Sequence, residues 1–476
     1  MADPTLTTTS APDAVSSTSL NDLPDDVVIH ILSFLPTKSA IQSSLISRKW
    51  RNLWTQLSCL NFPYSFTATA AASAGTFVTP RSFSDFISQT LLQRHPKSPS
   101  LHSFDLEFDF RDRISSSHVD SWLRYAIHHR VQEIKLDFFM STEFQAGNFP
   151  ENELVYKFHL SLLRNGRVKL LRLIKCDIIF PYDMASMRLK TLGSVFLDQV
   201  CLSDQMVSDL ISGCVNLECL SLEHCYGMKD VKICSLKLKH LYLNYFNANN
   251  GSLEICCPNL VSLEMIGFVV DKYKFEDFSS LVEASVFFLH KLEYYGHWSQ
   301  VMRSLVHVRR LAVQNWWFKL LATNNAFSGS SLPKTLKHLE LRTEYSKSDL
   351  LGLASLLGFL PNLETMVLDY LCKIDDEEIL SEEILNKPID FILPSLRQVK
   401  IKDFRATENA VILLTHLILH GEVLEKIILI PPVVGETMVQ PIVLQRQLKQ
   451  AKFSLGEMPK LKFKDVGGAI GIFMEE

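Results

Sequence analysis

Residues 20–60, LNDLPDDVVIHILSFLPTKSAIQSSLISRKWRNLWTQLSCL, decide how the rest of the chain is read. The apolar residues between Val27 and Leu35 recur at the spacing of an amphipathic helix, which Pro24 starts and Pro36 ends. A second short helix is predicted from Thr37 or Ser39. A third is predicted to be capped by Ser47 and to present Trp50, Leu53, Trp54 and Leu57 on one face.

A unit of three short helices is too small to bury much apolar surface by itself. The segment carries more apolar side chains than so small a core can use. We therefore expect a helical surface of a partner protein to cover the remainder.

The segment LPDDVVIHILSFLPTKSAIQSSLISRKWRNLW resembles, without a gap, the F-box of plant F-box proteins, and residues 19–60 are assigned to it. The resemblance implies that the segment binds a Skp-type adaptor, which joins it to a cullin–RING ubiquitin ligase. The residues expected to contact the adaptor are Leu23, Pro24, Val27, Ile31, Leu32, Leu35, Pro36, Ile41, Leu45, Trp50, Leu53 and Trp54. The alternative is a small bundle in which Trp50 and Trp54 are ordinary core residues.

Composition narrows the class of protein. The chain has 476 residues, 47% apolar and 21% charged, with a formal charge of −4, which gives no reason to expect binding to nucleic acid or to a membrane. Residues 1–18 are predicted to be a disordered tail without a secretory signal. Ten cysteines in such a chain favour reduced thiols and a cytoplasmic or nuclear location.

Residues 61–96 are predicted to be a linker followed by a helix. The stretch 61–81 is rich in Ala, Ser and Thr and has no sustained period. The helix is expected over 82–95, ended by Pro96, with Phe83, Phe86, Ile87, Leu91 and Leu92 on its apolar face.

From residue 97 to 390 the chain repeats an apolar-x-x-apolar-x-apolar pattern, which continues into the last segment. The starts lie 21 to 37 residues apart, at Leu101, Val131, Val168, Leu192, Leu217, Leu238, Leu260, Leu281, Val308, Leu336, Leu363, Leu396 and Leu424. This resembles an irregular leucine-rich-repeat array. The resemblance implies an α/β fold in which the F-box is followed by a curved solenoid with a parallel sheet on its concave side. Spacers such as Asp204–Gly213 are expected to be helices on the convex side, and the shorter spacers are expected to be loops.

One position departs from the usual repeat. Asn or Cys is expected three residues after the last core residue, and Cys176 and Cys225 fit. Aromatic residues stand there in other units, namely Phe246, Phe268, Trp316 and Phe404. We expect them to fill space in a less regular spine.

Residues 391–476 are expected to close the array. Leu393–Ile430 resembles the FBD region of plant F-box proteins. The local pattern predicts a strand at 399–401, a helix that ends at Gly421, and a strand at 427–429.

The sequence contains no recognised catalytic motif, and we expect a non-catalytic chain without a cofactor. Cys214, Cys219, His224, Cys225 and Cys234 lie close in sequence. Their spacing is not that of structural zinc sites, so no metal site is predicted.

The outward positions of the repeat strands are the candidate target surface. Their side chains change from mostly acidic in the early repeats to mostly basic in the late ones, which predicts a charge gradient. The residues expected to bind the target are Arg172, Phe196, His240, Tyr242, Arg310, His338, Arg342, Lys400 and Lys402. The alternative is that these positions are polar only to keep the surface soluble.

The most direct hypothesis is a substrate-recognition subunit of an SCF-type (Skp–cullin–F-box) ubiquitin ligase, with an unidentified target protein. One alternative is a receptor whose concave side binds a small molecule. Another is a repeat scaffold that has no role in a ligase.

Overall fold

The computed structural model describes residues 22–64, 80–94, 98–110, 113–139, 155–164, 166–267, 269–287, 301–315, 333–370, 393–432, 443–448 and 460–474. The predicted tail at 1–18 and most of the predicted linker lie outside these ranges. The chain divides into two compact units. Unit 1 holds residues 1–156 and 165–168, and unit 2 holds 157–164 and 169–476.

The first part of unit 1 is a small helical cluster. Helix α1 spans Asp25–Ser33 and helix α2 spans Thr37–Gln42, each beginning after the predicted proline. Short 3-10 helices follow at Ser43–Leu45 and Leu53–Gln56. Val28 and Leu32 face a core completed by Ala40, Trp50, Leu53, Trp54 and Leu57.

The predicted third helix is present only as its last turn. The Ser47 hydroxyl accepts a hydrogen bond from the Trp50 amide at 3.4 Å, as a cap would, but residues 48–52 are turns. Asn52 has left the helical region, with φ −117° and ψ 2°, so a regular helix cannot pass through it.

Part of the predicted adaptor surface is instead core. The structure buries Leu32, Trp50, Leu53 and Trp54, each at most 6% exposed. A unit of about forty residues has few large side chains, and it uses its tryptophans to fill its own interior.

The rest of unit 1 is an aromatic α/β layer. Strands β1 (Cys59–Phe62), β2 (Ser103–Asp109) and β3 (Glu133–Phe139) are parallel and adjacent in that order. Helices α3 (Pro80–Gln93) and α4 (Arg113–His128) complete the layer. Aromatic rings pack through its core: Phe108 is stacked on Phe83 with ring centres 6.2 Å apart and meets Trp122 edge to face at 5.6 Å.

Two details differ from the predicted linker and helix. Strand β1 includes residues 61 and 62, so the connection starts later than expected. Leu92, predicted for the apolar face of α3, is 84% exposed, because the helix buries Ile87 and Leu91 while Leu92 lies one position further around it. Arg94 follows α3, and its Nη2 donates to the Leu57 carbonyl at 2.6 Å.

Unit 2 is built mainly from strands. In chain order they are β4 Tyr156–His159, which starts at the unit boundary, β5 Leu170–Ile174, β6 Cys176–Ile179, β7 Ser194–Asp198, β8 Cys219–Glu223, β9 Asp230–Cys234, β10 His240–Asn244, β11 Asn247–Cys256, β12 Ser262–Ile266, β13 Val269–Glu276, β14 Glu283–Phe287, β15 Arg310–Gln314, β16 His338–Thr343, β17 Thr365–Tyr370, β18 Gln398–Ile401, β19 Lys426–Leu429, β20 Leu461–Val466 and β21 Ala469–Met474.

Parallel pairing joins β5, β7, β8, β10, β12, β14, β15, β16, β17, β18 and β19 into a ladder. The register keeps equivalent repeat positions opposite each other, so Leu241 pairs with Leu220 on one side and Leu263 on the other. All thirteen predicted repeat starts are buried, and in each repeat the next two core residues lie on a strand. The strands of the first two repeats, β2 and β3, belong to unit 1. The repeat prediction is therefore confirmed, while its solenoid curvature stays a prediction.

A second sheet was not predicted. Strands β9, β11 and β13 pair in parallel with β11 in the centre. Their spacers were expected to be loops. The sequence signal for these strands is an apolar residue at every second position. Val231 and Ile233 on β9, and Leu253 and Ile255 on β11, are all buried.

A left-handed residue follows the strand in six of the described repeats. It stands seven positions after the repeat start, at Lys175, Gln199, His224, Tyr245, Gly267 and Asp403, with φ between 48° and 60°. In five consecutive repeats its amide donates to a carbonyl at the end of the next strand, as His224 does to Asn244 at 3.0 Å. The turn therefore joins each repeat to its neighbour.

The spine position is buried in the four described units for which Cys or an aromatic residue was expected there. Cys176, Cys225, Phe246 and Phe404 are each at most 5% exposed. The Cys225 thiol donates to the Leu197 carbonyl of the preceding repeat at 3.5 Å, whereas a phenylalanine can only fill the space. Phe268 and Trp316 lie outside the described residues.

The helices of unit 2 include α5 (Met184–Met187), α6 (Asp204–Gly213), α7 (Lys347–Leu357) and α8 (Glu408–His420). The predictions for α6 and for the segment strand–α8–strand are confirmed, and Gly421 does follow α8. Beyond β19 the hairpin of β20 and β21 pairs in the antiparallel direction and turns at Gly467 and Gly468, both with positive φ.

Replacing Leu32 by Ala tests the helical core of unit 1. The residue is fully buried, so we expect the free energy of local opening of residues 25–57 to fall by about 2–5 kcal/mol. Hydrogen–deuterium exchange resolved by mass spectrometry measures this quantity. Val27→Ala is the control, since Val27 lies on the same helix and is 38% exposed. Equal protection in both variants would contradict the core described above.

Candidate functional site

Helix α1 leaves one apolar stripe uncovered. Val27, Ile31, Phe34 and Leu35 are between 38% and 75% exposed and stand at i, i+4, i+7 and i+8. They flank the stripe of Val28 and Leu32 that faces the core. A helix with apolar residues on two adjacent stripes can bury only one of them in so small a unit.

A second exposed pair follows α2. Leu45 is 88% exposed and Ile46 63% exposed at the end of the first 3-10 helix. We call Val27, Ile31, Phe34, Leu35, Leu45 and Ile46 the exposed apolar set of the F-box. Phe34 and Ile46 were absent from the predicted adaptor residues, although Phe34 continues the helical spacing of Val27 and Ile31.

The other predicted adaptor residues lie beside this set. Pro24 is exposed at the start of α1, and Pro36 is half-buried before α2. Leu23 and Ile41 are half-buried and pack against the core. Lys49 holds the start of α1 in place through its Nζ, which donates to the Leu23 carbonyl and lies 3.7 Å from Asp25 Oδ1.

In unit 2 the outward strand positions form what we call the ladder face. Consecutive strands place Arg172, Phe196, Ser221, Tyr242 and Glu264 directly opposite one another in a single row. Neighbouring strands lie about 4.8 Å apart, so Phe196 and Tyr242 are about 10 Å apart with Ser221 between them. His240 starts the same strand as Tyr242, so four of the predicted target residues are brought together here.

Two of the predicted basic residues of the late repeats, Arg310 and Lys402, form ion pairs. Arg310 Nε lies 3.2 Å from Glu283 Oε1. Lys402 Nζ lies 2.7 Å from Glu340 Oε1 and 3.9 Å from Asp369 Oδ2.

The sequence prediction overlooked these three carboxylates. The late ladder face therefore carries charges of both signs, with these carboxylates beside the basic residues, and the predicted charge gradient stays a prediction. Arg342 stands over the ring of Phe287, with its guanidinium carbon 4.2 Å from the ring centre. Lys400 is exposed between Val367 and Ile428.

His338 lies among these groups. Its Nδ1 is 2.5 Å from the Thr365 hydroxyl on the next strand. Burial and, next, the nearby Arg310 lower the pKa of its imidazole, while Glu340 and Glu283 oppose that shift. The neutral ring is thus favoured near neutral pH.

The cysteine and histidine residues considered for a metal have separate surroundings. Cys214 and Cys225 are buried, and Cys219 is half-buried on the ladder face. His224 Nδ1 lies 3.1 Å from Asp198 Oδ1, and Cys234 is exposed at the end of β9. Across the described ranges, no group of three or more His, Cys, Asp or Glu side chains is arranged to hold a metal ion.

Among the helices that the structure describes, none is both long enough and apolar enough to cross a membrane.

Two surface cavities lie away from the predicted target residues. One, of about 610 Å³, is at the amino ends of the late strands and is lined by Arg309, Lys337, Glu364 and Arg397 among others. The other, of about 480 Å³, lies in unit 1 and is lined by Arg94, Trp122, Tyr125, His129 and their neighbours.

Comparison with known proteins gives two matching family models. The F-box domain model matches residues 20–62. The model described as At1g61320/AtMIF1, LRR domain, matches residues 91–435. Together they span both the helical cluster and the ladder.

Several similar proteins come from Arabidopsis thaliana. F-box/FBD/LRR-repeat protein At2g04230 is 32% identical over 267 residues, which cover 54% of this chain and 55% of that protein. F-box/FBD/LRR-repeat protein At5g56420 is 28% identical over 332 residues, covering 68% and 70%. Putative F-box/FBD/LRR-repeat protein At3g59240 is 29% identical over 366 residues, covering 73% and 68%. The match with the first of these spans about half of its length.

The pKa of His338 gives a test of the ladder-face geometry. Replacing Arg310 by Met removes a positive charge, so the pKa of His338 should rise. Replacing Glu283 by Gln removes a negative charge and should lower it further. Titration of the imidazole signals by nuclear magnetic resonance measures both shifts.

The stability consequence has a definite sign. Because the folded-state pKa of His338 lies below the unfolded value of 6.5, the unfolded chain binds the proton more tightly. The contribution of the neutral ring to the free energy of unfolding is present above pH 6.5 and is lost as the pH falls through the folded-state pKa of His338. His338→Gln should remove this part of the pH dependence. Shifts of the same sign for Arg310→Met and Glu283→Gln would show that these groups do not face the ring.

Proposed function

This chain belongs to the plant F-box proteins with leucine-rich repeats, and from that premise we propose that it is a substrate-recognition subunit of an SCF-type E3 ubiquitin ligase. F-box domains generally bind Skp-type adaptors, which connect them to a cullin–RING ligase. Proteins of this kind are generally non-catalytic receptors, and we assign this chain the same role.

The exposed apolar set of the F-box carries the proposal. Six large apolar side chains on one small helical unit would be costly to leave in water, and a helical surface of an adaptor would cover them. Trp50 and Trp54 stabilise this surface indirectly, because they fill the core against which α1 and α2 pack. The adaptor contact is thus assigned to α1 and the segment after α2.

The ladder face is the proposed target surface. It combines Phe196 and Tyr242 with the ion pairs of Arg310 and Lys402. Such a surface fits a protein segment that carries both signs of charge and an apolar residue between them. A purely acidic segment would meet Glu283 and Glu340 as well as the cations.

In the proposed mechanism, this chain positions a target protein for modification by another subunit. A target bound to the ladder face would be held near the ubiquitin-loaded enzyme, which raises its effective concentration and restricts its orientation. The groups that form the new bond belong to other subunits. Residues 391–476 are assigned to an FBD-like terminal region that covers the end of the repeats, and the site of action is assigned to cytoplasm or nucleus.

Replacing Phe34 or Leu35 by Ala tests the adaptor contact. Each change removes an exposed apolar side chain, so the fold should persist while affinity for a purified plant Skp-type adaptor falls by about 2 kcal/mol, as at an interface hot spot. Isothermal titration calorimetry measures the affinity, and circular dichroism reports the fold.

Tyr182→Ala is the matched control, because Tyr182 is a fully exposed aromatic residue of unit 2. It should leave adaptor affinity unchanged. Affinity that is unchanged in Phe34→Ala and in Leu35→Ala would refute the assigned contact. Trp50→Ala is unsuitable here, since it would act through loss of the core.

Charge reversal tests the ladder face. Arg310→Glu together with Arg342→Glu should abolish capture of a bound target while leaving adaptor affinity unchanged. Targets are first collected on a full chain carrying Phe34→Asp, which blocks adaptor binding and lets targets accumulate, and are then measured by quantitative mass spectrometry.

An exchange of charges provides the control. Arg310→Glu combined with Glu283→Arg restores an ion pair in the opposite sense at the same place. It should preserve the fold and lose the target to the same extent as Arg310→Glu alone. Full target capture by the Arg310/Arg342 double variant would exclude this part of the ladder face as the binding site.

A further inference from the structure

The sheet of β9, β11 and β13 aligns its outward side chains in rows. Its inward residues, among them Ile233 and Ile255, are fully buried, so the residues between them face away from the core. Because the pairing is parallel and in register, each outward residue of β9 has one partner on β11.

Two of these rows show direct contact between the side chains. The Ser252 hydroxyl donates to Asp230 Oδ1 at 2.6 Å. One step further, Lys232 Nζ lies 3.2 Å from Glu254 Oε1. The outward side chains of β9 and β11 therefore do reach each other.

The next row in the same register is Cys234 opposite Cys256. Neighbouring strands place paired Cα atoms about 5 Å apart, inside the range of about 4.4–6.8 Å that a disulfide spans. Both thiols are free, Cys234 exposed and Cys256 half-buried.

The adjacent Cys257 differs from this pair. It is fully buried, and its thiol donates to the Ile233 carbonyl at 3.6 Å. Burial, followed by the neighbouring Cys256, raises the pKa of the Cys234 thiol, so this thiol is held protonated at neutral pH.

We propose that Cys234 and Cys256 form a surface dithiol that a hydroperoxide converts reversibly into a disulfide between two successive repeats. The thiolate of one cysteine attacks an oxygen of hydrogen peroxide; an S–O bond forms, the O–O bond breaks, and the hydroxide that leaves takes up the proton that this thiol had released, which gives water. The second sulfur attacks this sulfenic acid; the S–S bond forms, the S–O bond breaks, and hydroxide leaves with the second thiol proton as water. Two thiols are oxidised and one hydrogen peroxide is reduced to two waters.

The closed form ties β9 to β11 without passing through the core. Because Cys234 is exposed, the bridge would lie at the surface of the sheet, where small thiols can reach and reduce it. The site thus takes a hydroperoxide in one direction and a thiol reductant in the other. It is independent of the adaptor and target surfaces proposed above.

The experiment uses the full chain, reduced and then treated with hydrogen peroxide. Free thiols are blocked with N-ethylmaleimide, and peptides are identified by mass spectrometry. We expect a peptide linked through Cys234 and Cys256, with both maleimide adducts lost and both restored by dithiothreitol. Because only the thiolate reacts, the rate should rise about tenfold per pH unit just above neutral pH.

Variants distinguish this pair from its neighbours. Cys234→Ser and Cys256→Ser should each abolish the linked peptide, whereas Cys257→Ser should leave it intact. Phenylarsine oxide, which closes a ring with two adjacent thiols, gives a second measurement that does not depend on oxidation. The wild-type chain and Cys257→Ser should bind one more equivalent than Cys234→Ser or Cys256→Ser. Linkage through Cys257, linkage between chains, or the same arsenical uptake in all variants would overturn the proposal.

Discussion

Unit 2 depends on the residue-for-residue pairing of parallel strands. Since Leu241 lies between Leu220 and Leu263, the core residues of one repeat rest on those of the next. The same register fixes the outward positions, so no residue of the ladder face can be placed without placing its neighbours. One backbone constraint therefore determines both the stability of the stack and the pattern that a partner would meet.

Features that depend on local spacing could be predicted from the sequence. The thirteen repeat starts, helix α6 and the segment around α8 need only the apolar period and a cap. The sheet of β9, β11 and β13 was missed, because its strands stand where helices or loops usually occur in such repeats. The left-handed turns were missed as well, since most of them use Lys, Gln, His, Tyr or Asp and only one uses Gly267.

The candidate sites could be predicted only in part from local sequence spacing. Spacing indicated that the first helices are amphipathic, but it could not decide which apolar stripe faces inward, and four core residues were assigned to the surface. On the ladder face, the basic residues of the late repeats were identified from the sequence, but their acidic partners were overlooked. Lys402 and Glu340 are 62 residues apart in sequence, and only the register of the strands brings them together. Local sequence fixes the charges, and the fold decides which of them neutralise each other.

The ion pairs of the ladder face also bear on how a target could be bound. Arg310 with Glu283, and Lys402 with Glu340, are each between 31% and 56% exposed. Pairs with this exposure contribute at most about 1 kcal/mol to folding, because water already solvates both partners. A target carrying its own charges could replace one member of a pair at little cost to the stack. Exchange of charges on the late repeats would therefore cost the stack little, whereas the tryptophans of the F-box are part of its core and cannot be exchanged without loss of structure.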